Sequence, residues 1–135
     1  MAFKTILIVE DDEEIRRILE KKLLENGYTI LSSRLGLDAI EKARRFHPDL
    51  ILMDILLTDI EGAEAVKVLS QETSTGNIPV IFLSGIIGKE EDEKKKEIIV
   101  GSKHYLAIPK PFTFQQIMEN IKELTEMAPS EKETG

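Results

Sequence analysis

Apolar residues along the chain follow two rhythms. One is the short unbroken run, seen in Ile6-Leu7-Ile8-Val9, Leu50-Ile51-Leu52-Met53 and Val80-Ile81-Phe82-Leu83, each closed by a polar residue. Runs of this length, rich in leucine and β-branched residues, suit strands buried on both faces of a parallel sheet. The other rhythm is recurrence at three and four residues, the mark of an amphipathic helix. Five strand-like runs, at about 4–10, 28–32, 49–54, 79–84 and 104–109, alternate with five helix-like segments. Such alternation predicts parallel βα units and hence an α/β fold.

The first helix is expected over about 12–26, with Ile15, Ile18, Leu19 and Leu23 on one stripe and a stop at Asn26-Gly27. The second, about 37–47, carries Ile40 and Ala43 and stops before Pro48; the third, about 62–73, carries Val66 and Leu69. The last is the clearest. Thr113 and Gln116 have capping-box spacing, and Phe114, Ile117, Met118, Ile121 and Leu124 repeat at helical intervals. All of these apolar residues are read as core.

The fourth helix-like segment is different, because Lys89 through Glu97 is an unbroken charged run with no apolar residue until Ile98 and Ile99. Glu90-Lys94, Glu91-Lys95 and Asp92-Lys96 are acid-before-base pairs at i,i+4, each adding about 0.2–0.5 kcal/mol to a helix. A solvated, weakly docked helix is expected here, with a partner-binding element as the other reading.

At 135 residues, the chain fits one domain, expected over 1–128, with the polar residues 129–135 as a tail or linker stump. No apolar run approaches the roughly 18 residues of a membrane span, and the start lacks a signal-peptide pattern. Cysteine is absent, which excludes disulfides and thiolate metal sites and makes the cytoplasm the simplest compartment. A net charge of -7 argues against direct nucleic-acid binding, which needs clustered Lys and Arg. His47 and His104 lack metal-ligand spacing and are read as surface or satisfied polar residues.

The chemistry gathers at strand ends. Glu10-Asp11-Asp12 closes the first run, Asp54 the third, Ser84 the fourth, and Lys110-Pro111 follows the fifth. In open parallel sheets, ligands bind outside the carboxyl ends of the strands. An acid cluster, a lone aspartate, a hydroxyl and a lysine on one rim suit a divalent cation and a phosphoryl group. Glu10, Asp11 and Asp54 without a cation would repel one another.

With these motifs in order, the chain resembles the receiver domain of two-component response regulators from about Lys4 to Leu124. The resemblance is carried by Ile6-Leu7-Ile8-Val9-Glu10-Asp11-Asp12, Pro48-Asp49-Leu50-Ile51-Leu52-Met53-Asp54, Gly62 eight residues further on, Pro79 to Ser84, and Lys110-Pro111-Phe112. It implies a flavodoxin-like, doubly wound sheet of five parallel strands in order 2-1-3-4-5 with five helices. By position, Asp54 corresponds to the phosphoacceptor, served by a phosphohistidine on a sensor histidine kinase or a histidine phosphotransfer protein. Asp11 corresponds to the direct metal ligand, Glu10 to the acid that holds the metal through water, and the Leu56 carbonyl to the remaining protein ligand. Mg2+ suits such hard oxygen donors. Ser84 corresponds to the switch hydroxyl and Lys110 to the lysine that pairs with the phosphoryl group, followed by a commonly cis prolyl bond. Asp12 is read as either a helix start or a metal residue. The output implied is a switched surface for a downstream protein or effector domain. The activity implied is self-catalysed phosphotransfer and slow autodephosphorylation, not metabolic turnover.

The sequence departs from the family pattern in places. Thr58 stands where proline is usual, which predicts a less rigid loop. Ala107 stands where an aromatic switch residue is usual, with Tyr105 on the same side of the strand. The interval from Ser84 to Lys110 is a little long. Leu56 and Ile86 take positions that flank the path of hydrolytic water, and neither can orient one.

Three other readings are weaker. Asp54 and Thr58 match the ends of the D-x-D-x-T pattern of haloacid-dehalogenase-type hydrolases, but Leu56 removes the acid/base that turnover needs. A phosphorylation-independent, receiver-like interaction module would tolerate loss of the acids, hydroxyl and lysine, all of which are present. A flavin-binding module of the same fold would need a phosphate loop after the first strand, and none is there.

Overall fold

The computed structural model describes residues 4–84 and 96–127. In chain order the elements are β1 (Thr5–Val9), α1 (Glu13–Glu25), β2 (Thr29–Ser33), α2 (Gly36–Phe46), β3 (Leu50–Asp54), α3 (Gly62–Ser70), β4 (Val80–Ser84), β5 (Lys96–Val100), β6 (Lys103–Pro109) and α4 (Phe114–Met127). They form one sheet in the order β2-β1-β3-β4-β6-β5. The pairs β1–β2, β1–β3, β3–β4 and β4–β6 are parallel. The five expected strands therefore lie in the expected 2-1-3-4-5 order, in a flavodoxin-like α/β fold.

Strand alternation explains why the apolar runs are unbroken. Leu7, Val9, Ile51, Met53, Phe82 and Ala107 point to one face, where α2 and α3 add Ile40, Ala43, Val66 and Leu69. Ile6, Ile8, Leu50, Leu52, Ile81, Leu83 and Ile108 point to the other, where α1 and α4 add Leu19, Leu23, Ile117 and Ile121. Each fully buried side chain of this size is worth about 1.5–3 kcal/mol, so both faces must be covered. Ile18 departs from the expected core list and is half exposed.

The helix ends follow local chemistry. Asp12 caps α1, its Oδ1 accepting from Ile15 N at 3.0 Å, which settles its role as a helix start. Gly27, at φ 94°, ends the turn after α1 as expected. His47 takes the left-handed position after α2, at φ 47°. The capping box of α4 is reciprocal: Gln116 N donates to Thr113 Oγ1 at 3.1 Å, and Thr113 N to Gln116 Oε1 at 2.8 Å.

Two expectations need correcting. The sheet has a sixth strand, and four helices lie among the described residues. Glu97, Ile98 and Ile99 do not close a helix; they lie in β5, which pairs antiparallel with β6. The cause is a hairpin: Val100 pairs with Lys103 across Gly101-Ser102, and Gly101 adopts φ 63°. A glycine at positive φ in a two-residue loop is what a tight hairpin requires. This extra strand takes up residues in the long interval before Lys110. The expected helix over the earlier part of the charged run lies outside the described residues, as do Ile86 and the tail. The third helix is shorter than expected, ending at Ser70, and a buried Thr75 hydroxyl donates to the Leu69 carbonyl at 2.8 Å beyond it.

Candidate functional site

The sheet brings four strand ends side by side. Glu10 follows β1, Asp54 ends β3, Ser84 ends β4 and Lys110 follows β6, and these strands are neighbours in that order. Register fixes the alignment, with Asp54 opposite Leu83 and Ser84 opposite Pro109. Lys110 N donates to the Ser84 carbonyl at 2.8 Å, carrying the β4–β6 pairing to the rim. The Lys110–Pro111 peptide is cis.

At the centre, Lys110 Nζ lies 3.0 Å from Glu10 Oε1 and 3.4 Å from Asp54 Oδ1. Glu10, Asp54 and the Ser84 side chain are buried, and Asp11 is half-buried. One carboxylate oxygen from each of Glu10, Asp11 and Asp54 lies within 4.8 Å of the others. Asp12 is not in that group. Burial pushes the Glu10 carboxyl up to about 7; the charge of Asp54 adds to this, and Lys110 opposes it. Burial pulls the Lys110 ammonium down, but its contact with Glu10 and the charges of Glu10 and Asp54 outweigh that and hold it above its usual value.

This donor set fits a hard divalent cation. Glu10 Oε1 is buried at ion-pair distance from Lys110 yet has no partner in hydrogen-bond geometry. Such an atom, beside two further carboxylates, has unused capacity that a cation or its bound water can satisfy. Glu10 Oε2 is occupied by the Asp12 amide at 3.2 Å.

The loop from Ile55 to Glu61 frames the site from the β3 side. Gly62 N donates to the Ile55 carbonyl at 2.7 Å. A Cβ on Gly62 would lie 2.1 Å from the Asp54 carbonyl oxygen, so only glycine permits this approach. Leu56 projects into solvent, 54% exposed. Thr58 Oγ1 donates to Asp11 Oδ2 at 3.0 Å, and the Asp59 carboxylate accepts from Gly36 N at 2.8 Å and Leu37 N at 2.9 Å. Side chains thus tether the loop where a proline ring would have stiffened its backbone.

Thr58 and Asp59 were not legible as site residues from pattern alone. One signal was available: Arg34-Leu35 ahead of α2 offers no capping side chain, so the amides of Gly36 and Leu37 needed an acceptor from elsewhere. Beyond β4, Tyr105 packs edge-on against Phe82, with ring centroids 5.7 Å apart and planes at 87°. It occupies the same face as Ala107. His104 is exposed, with Nδ1 3.1 Å from Glu97 Oε1. An apolar groove of about 400 Å³, lined by Ile15, Ile18, Leu19, Phe112 and Phe114, borders Lys110.

This is an α/β domain whose doubly wound sheet carries clustered acids and a lysine at the carboxyl ends of its strands, where folds of this kind bind ligands. Residues 6–122 match the response regulator receiver domain family, and the chain belongs to that family. It is 34% identical over 119 residues to the polar-differentiation response regulator DivK of Brucella ovis, covering 88% of this chain and 94% of that protein. Among solved structures it is similar to a CheY-like receiver domain protein from Methanospirillum hungatei, with TM-score 0.78, 24% identity and coverage of 96% and 99% of the two chains. It is also similar to the receiver domain of the sensor histidine kinase PA1611 from Pseudomonas aeruginosa, described with a magnesium ion coordinated in its active-site cleft. There the TM-score is 0.75, the identity 25% and the coverage 90% and 97%. Receiver domains are signalling domains rather than metabolic enzymes. Among the described residues no helix is long and apolar enough to cross a membrane.

Proposed function

We propose that this receiver domain, spanning residues 1–128, accepts a phosphoryl group onto Asp54 from a phosphohistidine donor in the presence of Mg2+. The observation that carries the reading is the convergence of Lys110 on both Glu10 and Asp54, with Asp11 completing the carboxylate cluster. Asp11, Glu10, Asp54 and the Leu56 carbonyl would hold the cation, which offsets negative charge on the acceptor and on the incoming phosphoryl group. The ion coordinated in the Pseudomonas receiver supports the same choice here.

In the transfer, an Asp54 carboxylate oxygen bonds to phosphorus as the bond from phosphorus to the donor imidazole nitrogen breaks. The leaving imidazole keeps the electron pair and takes a proton from solvent. Lys110 already faces Asp54, so its ammonium reaches a phosphoryl oxygen by a small movement away from Glu10. Ser84, on the neighbouring strand end, supplies a hydroxyl to a second oxygen. The new charge, roughly -1.5 to -2, then biases the loops of this rim and the surface offered to a downstream protein or effector domain. The groove between α1 and α4 beside Lys110 gives a sensor histidine kinase or histidine phosphotransfer protein a surface adjoining the acceptor.

The test is incubation with acetyl phosphate and Mg2+ followed by intact mass. One added phosphoryl group is expected, lost on chelation and in Asp54→Asn. Stoichiometric labelling of Asp54→Asn would refute the assignment.

A further inference from the structure

We propose that Thr58 is a positioning residue for the cation site, fixing the Asp11 carboxylate through its hydroxyl from a loop that Asp59 anchors to the start of α2. The inference rests on Asp11 being a cation ligand, as argued above.

The three acids are held differently. Glu10 is buried, with one oxygen on the Asp12 amide and the other facing Lys110. Asp54 is buried and faces the same lysine. Asp11 is half-buried, and the hydrogen bond described for its side chain comes from Thr58 Oγ1, at 3.0 Å to Oδ2. A hydroxyl has a single proton to donate, and here it goes to Oδ2 of Asp11, which fixes the rotation of that carboxylate. A carboxylate fixed in advance loses less rotamer freedom when a cation arrives. Partners of this kind orient metal ligands as the ligands orient the metal.

Thr58 can perform this role only if its own loop is held. Asp59, the next residue, accepts from the two free amides at the start of α2, Gly36 N and Leu37 N. Leu35 at the cap position makes no side-chain bond, so the helix and the loop complete each other. Ile60 packs on the same spot, where a Cβ on Gly36 would come within 2.6 Å of Ile60 Cγ1. The Thr58 hydroxyl therefore bridges from the β3 side of the site to Asp11 on the β1 side, braced from behind by α2.

The experiment compares Mg2+ affinity, by calorimetric titration of the full chain at neutral pH, in wild type, Thr58→Val, Thr58→Ser and Asp11→Asn. Valine preserves the branched shape without the hydroxyl, and serine preserves the hydroxyl without the shape. Thr58→Val is expected to weaken Mg2+ binding about tenfold, the low end for outer-shell partners because Thr58 is exposed, while Thr58→Ser stays within about twofold of wild type. Equal affinity in wild type and Thr58→Val overturns the proposal. An equal loss in both Thr58 variants also overturns it, because shape and not the hydroxyl would then matter. Asp11→Asn separates the two levels. Wild-type affinity in that variant refutes Asp11 as a ligand, and the proposal falls with it; lost affinity there with full affinity in Thr58→Val refutes Thr58 alone.

Discussion

Lys110 Nζ lies nearer to Glu10 Oε1, at 3.0 Å, than to Asp54 Oδ1, at 3.4 Å. The lysine thus leans on the buried glutamate while remaining within reach of the proposed acceptor. One cation shared between two buried carboxylates leaves the cluster net negative, and the first two predictions test how the fold manages that excess charge.

The Glu10 carboxyl, pushed up to about 7 by burial and Asp54, should make stability depend on pH. Between its unfolded value near 4.5 and about 7, the folded state holds the proton more tightly than the unfolded state. The stability this contributes is full below that window and is lost as pH rises through it. Without Mg2+, denaturant unfolding should therefore show a decline of up to roughly 3 kcal/mol from pH ~4.5 to ~7.5. Glu10→Gln should flatten it, and added Mg2+ should stabilise more at the upper end, where Glu10 is ionised. A wild-type stability that rises across this window would contradict the assignment.

Asp54→Asn removes the charge that helps raise Glu10. Without Mg2+ above neutral pH, this variant should be more stable than wild type by about 1 kcal/mol, as expected where a site maintains like-charge repulsion for function. Thermal melting in the presence of a chelator measures it, and a lower Tm in the variant would count against electrostatic frustration at this site.

Gly62→Ala should be far more harmful than Gly36→Ala. At Gly62 the new methyl meets the Asp54 backbone oxygen at 2.1 Å, whereas at Gly36 it meets Cγ1 of the Ile60 side chain at 2.6 Å. A half-buried side chain can shift where backbone cannot, so Gly62→Ala should cost about 3 kcal/mol or more and Gly36→Ala about 1–2 kcal/mol. Comparison of denaturant midpoints decides the order.

Leu56→Asn should shorten the life of the phosphorylated protein severalfold. The side chain of Leu56 stands exposed two residues past Asp54 and offers no hydrogen bond to water, whereas asparagine can orient one. Decay after donor removal, at constant Mg2+, is the measurement; unchanged decay would show that this position does not govern water access.

The sequence alone determined the parallel strands, their order by way of the family motifs, and the acids at their ends. Strands buried on both faces must be continuously apolar, and polar residues that interrupt such runs mark the rim. The Thr113–Gln116 box was equally legible, because its two hydrogen bonds span three residues. Tertiary structure decided what depends on residues remote in the chain. Ile98 and Ile99 carry no mark that tells helix from strand in isolation, and pairing with Tyr105 and His104 makes them a strand. Thr58 was legible only as a missing proline, because its partner Asp11 lies 47 residues away, and the Asp59 cap on α2 spans 22 and 23 residues. Hydrophobic period and local capping act between chain neighbours and are therefore written in the sequence. The balance of charge around Lys110 and the bracing of Asp11 arise from through-space contacts that only the assembled sheet creates.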